Sequence, residues 1–285
     1  MTDPDATPAS PETERYRAIA VAAASGDLVF PTSAELGLRI KRALDDPNCS
    51  TDQAAKLIKA EPLLSARVVA VANSVAYNPS GREITDVRQA VSRLGFRTLR
   101  SLTMALLVRQ MSGQSGDARL KRLTQQLWEH TAHVAALAHV IARRVTHQDP
   151  EAALFAGILH EVAGFYLIAT APEMLAEIPS DWQGSGEVRV GTALFKVLEV
   201  PAPIASAIGA LWEGYLAHPP TSLGDTLMLA EQLAPVASPL YWAPAQDVTR
   251  EAGLPHIEML LDEETLTSIL AESAAEVQSL IAALK

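Results

Sequence analysis

From Ala152 to Ala171 the chain is almost wholly apolar, except at its centre, where His160 and Glu161 stand side by side. A stretch of this length suits either a membrane span or the middle of a protein core. An imidazole and a carboxylate at mid-span are costly in hydrocarbon. Pro150 and Pro172 also bracket the segment, so a buried core helix is the expectation. A helix that is apolar all round needs other elements on every side. With 48% hydrophobic and 20% charged residues over 285 positions, the chain has the material for one large domain or two lobes. Aromatic residues make up only 5%, while Ala and Leu are plentiful, which favours helix over strand.

The remaining punctuation is that of successive helices. Ser10-Pro11 caps and starts a first one through Tyr16 and Ile19. Thr32-Ser33 precedes Leu36, Ile40 and Leu44, and Ser50 or Thr51 precedes Ala54, Leu57 and Ile58. Pro62 opens a helix with Leu64, Val68 and Val71 on one face; Thr85 caps a short one that Gly95 ends. Leu99, Leu102 and Leu106 follow, then a Gly/Ser stretch from Ser112 to Asp117, which reads as a hinge between lobes. Beyond it a long helix carries Leu120, Leu123, Leu127, Val134, Leu137 and Ile141. Pro172 to Gly186 is irregular, and Pro235 to Asp247 is a Pro-rich loop. Val190 to Leu198, Pro203 to Leu216, Asp225 to Leu233 and Asp262 to Leu284 complete the helices. No segment reads as a strand or a fixed-period repeat. The expected fold is all-α and two-lobed, with a disordered tail at 1–14, an N-terminal helical lobe at 15–111 and a second helical lobe at 112–285 that includes the C-terminal helix.

Charge and cysteine narrow the function. A net charge of −10 opposes general binding to nucleic acid or anionic membrane, though not a local basic patch. Cys49 is the single cysteine, so neither an internal disulfide nor a cysteine metal cluster can form, which suits a cytoplasmic location. The first residues, rich in Pro, Thr, Asp and Ser, lack the pattern of a signal peptide. No Walker loop, nucleophile elbow or dinucleotide fingerprint is present.

Several short segments, in order, carry a resemblance. Phe30-Pro31-Thr32, Pro62 to Arg67, Ala72-Asn73-Ser74 and Ala90-Val91 with Leu94-Gly95 come first. Leu127-Trp128-Glu129-His130, Ala156 to Glu161, Gly191, and Glu199-Val200-Pro201 to Ile208 follow. Together they resemble the HDOD domain, an HD-hydrolase-like module of bacterial signal transduction. The likeness runs from about Phe30 to about Leu233. It implies an N-terminal helical lobe packed on an HD-like bundle. It also implies a regulatory role through a protein partner supplied in trans, or through a small signal or nucleotide, with no nucleic acid or membrane partner.

In that resemblance the metal-binding positions of an HD phosphohydrolase fall on His130, His160, Glu161 and Glu231. The further His positions of the two-metal branch fall near Glu187 and on Leu211-Trp212. Such enzymes use metal to generate hydroxide and to neutralise charge at phosphorus. Here Leu211 and Trp212 cannot ligate, and the longer carboxylates are expected to displace their oxygens by roughly 1 Å. The four positions are therefore expected to be vestigial, with no catalytic residue, metal or cofactor. A His130–His160–Glu161 hydrogen-bond network is the expected relic, and a degenerate site for one metal ion is the alternative. Functionally this gives a non-enzymatic regulator, with a metal-dependent phosphohydrolase or phosphodiesterase acting on nucleotides as the alternative. His133 and His139 read as surface or boundary residues. Arg93, Arg97 and Arg100 form either a solvated face or, if they converge on a concave site, a grip for a nucleotide phosphate. Gly214-Tyr215-Leu216 faintly matches a GYP motif of cyclic-di-GMP phosphodiesterases and reads as coincidence.

Overall fold

The computed structural model describes residues 11–24, 32–111, 117–176, 186–214 and 219–240, with Trp182, Ala217 and scattered positions in 267–282. Among them the chain is all helical, without a strand. The helices are α1 (Pro11–Ala24), α2 (Thr32–Asp45), α3 (Thr51–Lys59), α4 (Pro62–Ala72), α5 (Val87–Met111) and α6 (Ala118–Ile141). They continue with α7 (Pro150–Leu159), α8 (Val162–Thr170), α9 (Glu187–Val197), α10 (Ala202–Glu213) and α11 (Leu223–Leu233).

Their starts are set by local chemistry. Ser50 and Gln53 form a reciprocal capping box at α3, with bonds of 3.2 and 2.8 Å. Ser222 and Asp225 do the same at α11. Asp149 accepts the Glu151 and Ala152 N–H groups ahead of Pro150 at the head of α7.

Helices α2, α3 and α4 pack on α5, and α6, α7, α10 and α11 form the second bundle. The expected division at 111/112 needs correction on two counts. Helix α1 already begins at Pro11, inside the range assigned to the tail, and it packs on α9 in the second bundle. There Tyr16 lies against Trp182, with ring centroids 5.6 Å apart. Helix α5 also belongs to both sides. At Gly95 (φ 72°, ψ 167°) its axis breaks in a conformation open essentially only to glycine, and α5 also packs on α7 and α8. One contiguous hydrophobic core runs through both lobes. Residues 1–10 and the hinge residues 112–116 lie outside the described residues, as do Phe30-Pro31, Tyr215-Leu216 and most of Asp262 to Leu284. Of that last helix, Val277 and Ile281 are buried.

The apolar segment at 150–170 is, among the described residues, the helical stretch long and apolar enough to cross a membrane, and 89% of it is buried in the protein. It is not one helix, however. It splits into α7 and α8 with His160 and Glu161 at the junction. Helix α7 lies against α6 so closely that a Cβ on Gly157 would sit 2.5 Å from the Cα of Ala135.

Candidate functional site

His130 lies on the buried stripe of α6 between Leu127 and Val134. Its Nδ1–H donates to the Val236 carbonyl at 2.7 Å. His160, at the end of α7, donates its own Nδ1–H to the Gly157 carbonyl, also at 2.7 Å. These two bonds leave both Nε2 atoms as acceptors. The Nε2 atoms face each other at 3.1 Å, so a proton or a cation must sit between them. From α11 the Glu231 Oε2 comes within 3.2 Å of His130 Nε2 and 3.4 Å of His160 Nε2. Glu161 Oε1 is 3.8 Å from His130 Nε2. Both Glu161 carboxylate oxygens are buried without a hydrogen-bond partner.

Without a metal, the charge pattern favours a proton on His130. Burial opposes the charged ring, but Glu231 beside it, then Glu161 and the Val236 carbonyl, raise its pKa to about 9. Burial likewise opposes a Glu231 carboxylate, yet His130 and His160 hold its pKa well below the usual range. The sign of the pH dependence follows. The raised His130 pKa contributes stability that is complete below its ordinary value of 6.5 and is lost as pH climbs through about 9. The lowered Glu231 pKa contributes above its ordinary 4.5 and is lost in acid. Urea melts of metal-free wild type and Glu231→Gln should therefore differ most between pH 4.5 and 6.5 and converge toward pH 9. A gap that is constant with pH would refute the ion pair.

The donor set also fits one divalent ion. Around an ion with bonds of about 2.0–2.1 Å, the ligand atoms of a tetrahedron are about 3.3 Å apart. His130 Nε2, His160 Nε2 and Glu231 Oε2 are spaced at 3.1, 3.2 and 3.4 Å. The Glu161 carboxylate stands outside this three-residue group, buried beside it with Oε1 3.8 Å from His130 Nε2. A bound ion would supply Lewis acidity at this centre.

The arrangement differs from the sequence expectation in two ways. The two imidazoles do meet, but Glu161 makes no hydrogen bond, and Glu231, not Glu161, brings a carboxylate oxygen nearest both rings. From α11 the Glu231 side chain brings Oε2 to within 3.2 and 3.4 Å of the two rings.

The other singled-out residues are placed as follows. His133 and His139 are both buried, at 8% and 5% exposure, rather than on the surface. His133 Nδ1–H donates to the Glu129 carbonyl at 2.7 Å, and His139 lies 3.6 Å from Glu151 and against the Tyr77 ring. Trp212 stacks flat on Phe195 at 5.5 Å and fills the space above Gly191. Glu187 is buried in the first turn of α9. Gly214 caps α10 in a left-handed conformation. The three arginines do not converge. Arg93 donates to the carbonyls of Ala72 and Arg82, whereas Arg97 and Arg100 line one pocket with Lys41. That pocket also contains Asp45, Asp149 and Glu151, which sequence reasoning did not single out as functional.

No curated protein matches the sequence significantly. Solved structures resemble it over nearly its whole length. A Shewanella amazonensis protein provisionally named a metal-dependent phosphohydrolase is 18% identical, with a TM-score of 0.70 over 96% of this chain and 99% of that one. A Geobacter sulfurreducens HDOD domain protein of unknown function is 24% identical, with a TM-score of 0.62 over 95% and 97%. A Marinobacter aquaeolei protein provisionally named for signal transduction is 18% identical, with a TM-score of 0.61 over 96% of this chain and 66% of that one. At these identities the likeness establishes the fold. The sequence pattern of the HDOD domain matches residues 30–212, from the approach to α2 through most of α10, and the chain belongs to the HDOD domain family.

Proposed function

We propose that this protein is a regulatory module that does not hydrolyse phosphate esters and acts by binding, in the cytoplasm, to a protein supplied in trans. The observation that carries the reading is the closure of the histidine–glutamate centre. His130, His160 and Glu161 have no exposed surface, and the Glu231 oxygen that faces them is buried. The segment after α11 lies over the centre: Val236 holds His130, and buried Leu240 packs against Gly164 of α8. A hydrolytic metal must keep an open position for water and for the phosphoryl oxygens. Three donors enclosed by protein, with the Glu161 carboxylate buried beside them, instead suit a structural centre that ties α6, α7 and α11 together.

The alternative, a metal-dependent phosphohydrolase, draws on the tetrahedral spacing of the donors. It lacks the second imidazole pair, because Leu211 and Trp212 occupy those positions. The test is turnover. Purified protein with manganese, iron or magnesium is expected to release no product from phosphomonoesters, nucleotides or cyclic dinucleotides. Metal-dependent turnover that vanishes in a folded His160→Ala, Glu161→Gln double variant would make the protein an enzyme. Bound metal alone would not.

A further inference from the structure

A second concave feature lies at the seam of the two lobes, some distance along α7 from the histidines. The end of α2, the middle of α5 and the starts of α7 and α10 enclose a pocket of about 220 Å³. One wall is basic. Lys41 is 3% exposed and is held by Asp45 at 2.9 Å and by the Glu199 carbonyl at 3.3 Å. Arg100 donates Nη1 to Asp45 at 2.8 Å; its remaining N–H groups have no partner among the described residues. Arg97 pairs with Asp149 through both terminal nitrogens. The opposite wall is apolar, made by Ala152, Phe155, Pro203 and Ile204.

Lys41, Arg97 and Arg100 stand against Asp45, Asp149 and Glu151 in the lining, so its formal charges balance, but the carboxylates are unevenly committed. Glu151, also in the lining, is spent on Tyr77, Thr98 and His139 instead. Asp45 serves two cations at once. Glu199, whose carbonyl and carboxylate fix Lys41, has φ 52°, a left-handed conformation rarely taken by a non-glycine residue. Strain of this kind is kept where surrounding structure over-determines it, often at ligand clamps.

We propose that the seam pocket binds a small phosphate-bearing molecule with a flat apolar body, the size of a single nucleotide, with its phosphate on Arg100 and Arg97 and its body on Phe155, Ala152 and Ile204. Guanidinium groups with unspent parallel donors are suited to phosphate oxygens. The volume is below the usual range for drug-sized ligands, which excludes a cyclic dinucleotide and limits the occupant to one nucleotide with part of it in solvent. Binding exchanges one anion for another: phosphate takes Arg97 from Asp149, which keeps its bonds to the first N–H groups of α7. The proposal deepens the regulatory reading and rests on it in one respect, that the ligand is bound and released unchanged.

The experiment is calorimetry on the full chain with adenosine monophosphate, ribose 5-phosphate, adenosine and orthophosphate. Adenosine monophosphate is expected to bind saturably, and each of the other three at least about tenfold more weakly, because each lacks the phosphate or the flat body. Arg100→Gln should weaken binding about tenfold or more. Asp45→Asn, which removes the competing carboxylate, should tighten it, an outcome that a purely structural salt bridge would not give. Ala152→Phe should abolish binding by filling the pocket without touching a charge. Absence of saturable binding by wild type overturns the proposal. So does binding that ignores both Arg100→Gln and Ala152→Phe, or orthophosphate or ribose 5-phosphate binding as tightly as the nucleotide. Chromatography of the same samples separates the two readings: conversion of the nucleotide would sink the regulatory reading and leave the pocket assignment standing.

Discussion

Gly157→Ala is expected to destabilise the protein by about 3 kcal/mol, more than a core substitution of one methyl group ordinarily costs. The added methyl would meet the backbone of Ala135, at 2.5 Å from its Cα, and backbone cannot swing aside as a side-chain end can. Helices α6 and α7 would have to separate, and His130 rides on one while His160 ends the other. The 3.1 Å contact between the imidazoles would open with them. Denaturant melts of the two proteins check the magnitude. A variant within about 0.5 kcal/mol of wild type would show that the close approach of α6 and α7 is not a requirement of the fold.

Glu161→Met should move stability in opposite directions with and without metal. In metal-free protein the Glu161 carboxylate is fully buried and both its oxygens lack a hydrogen-bond partner. Replacing such a group by an apolar one of similar volume stabilises by about 1–3 kcal/mol. With zinc present, the buried Glu161 carboxylate gains a cation close by, a stabilisation that the variant lacks. The order of the melting temperatures should therefore invert on addition of zinc. If zinc raises neither protein's melting temperature, the four residues are a relic without metal affinity. If Glu161→Met destabilises in the absence of metal, the 3.8 Å approach of the carboxylate to His130 Nε2 outweighs the cost of burying it.

The features legible in the sequence were those that depend on local pattern. The cap at Ser50, the proline at position 150, the apolar run around His160 and the glycine at position 95 each place an element within a few residues. The meeting of His130 with His160 came from the resemblance and from the stripe on α6, and the structure puts their rings together. Features that depend on distant elements were not legible. The apolar run gives no periodic sign that it breaks at His160–Glu161. Which glutamate reaches the imidazoles depends on where α11 lies, and its approach could not be read from the helix itself. His133 and His139 looked peripheral because one stripe of α6 was taken as its buried face. From Trp128 onward that helix is enclosed nearly all round, and Glu129 is the exception. The seam pocket gathers residues from position 41 to position 204, and no short window contains more than a part of it.

The break at Gly95 has a consequence for how the molecule holds together. Because α5 packs on α4 as well as on α7 and α8, the element that closes the first lobe also forms part of the second lobe's interior. Neither lobe can shed the other without exposing the leucines of α5, Leu99, Leu102, Leu106 and Leu107, all nearly inaccessible in the intact chain. The loop that reads as a hinge thus joins two parts that are already fused. The two lobes are therefore expected to melt together, in a single cooperative transition.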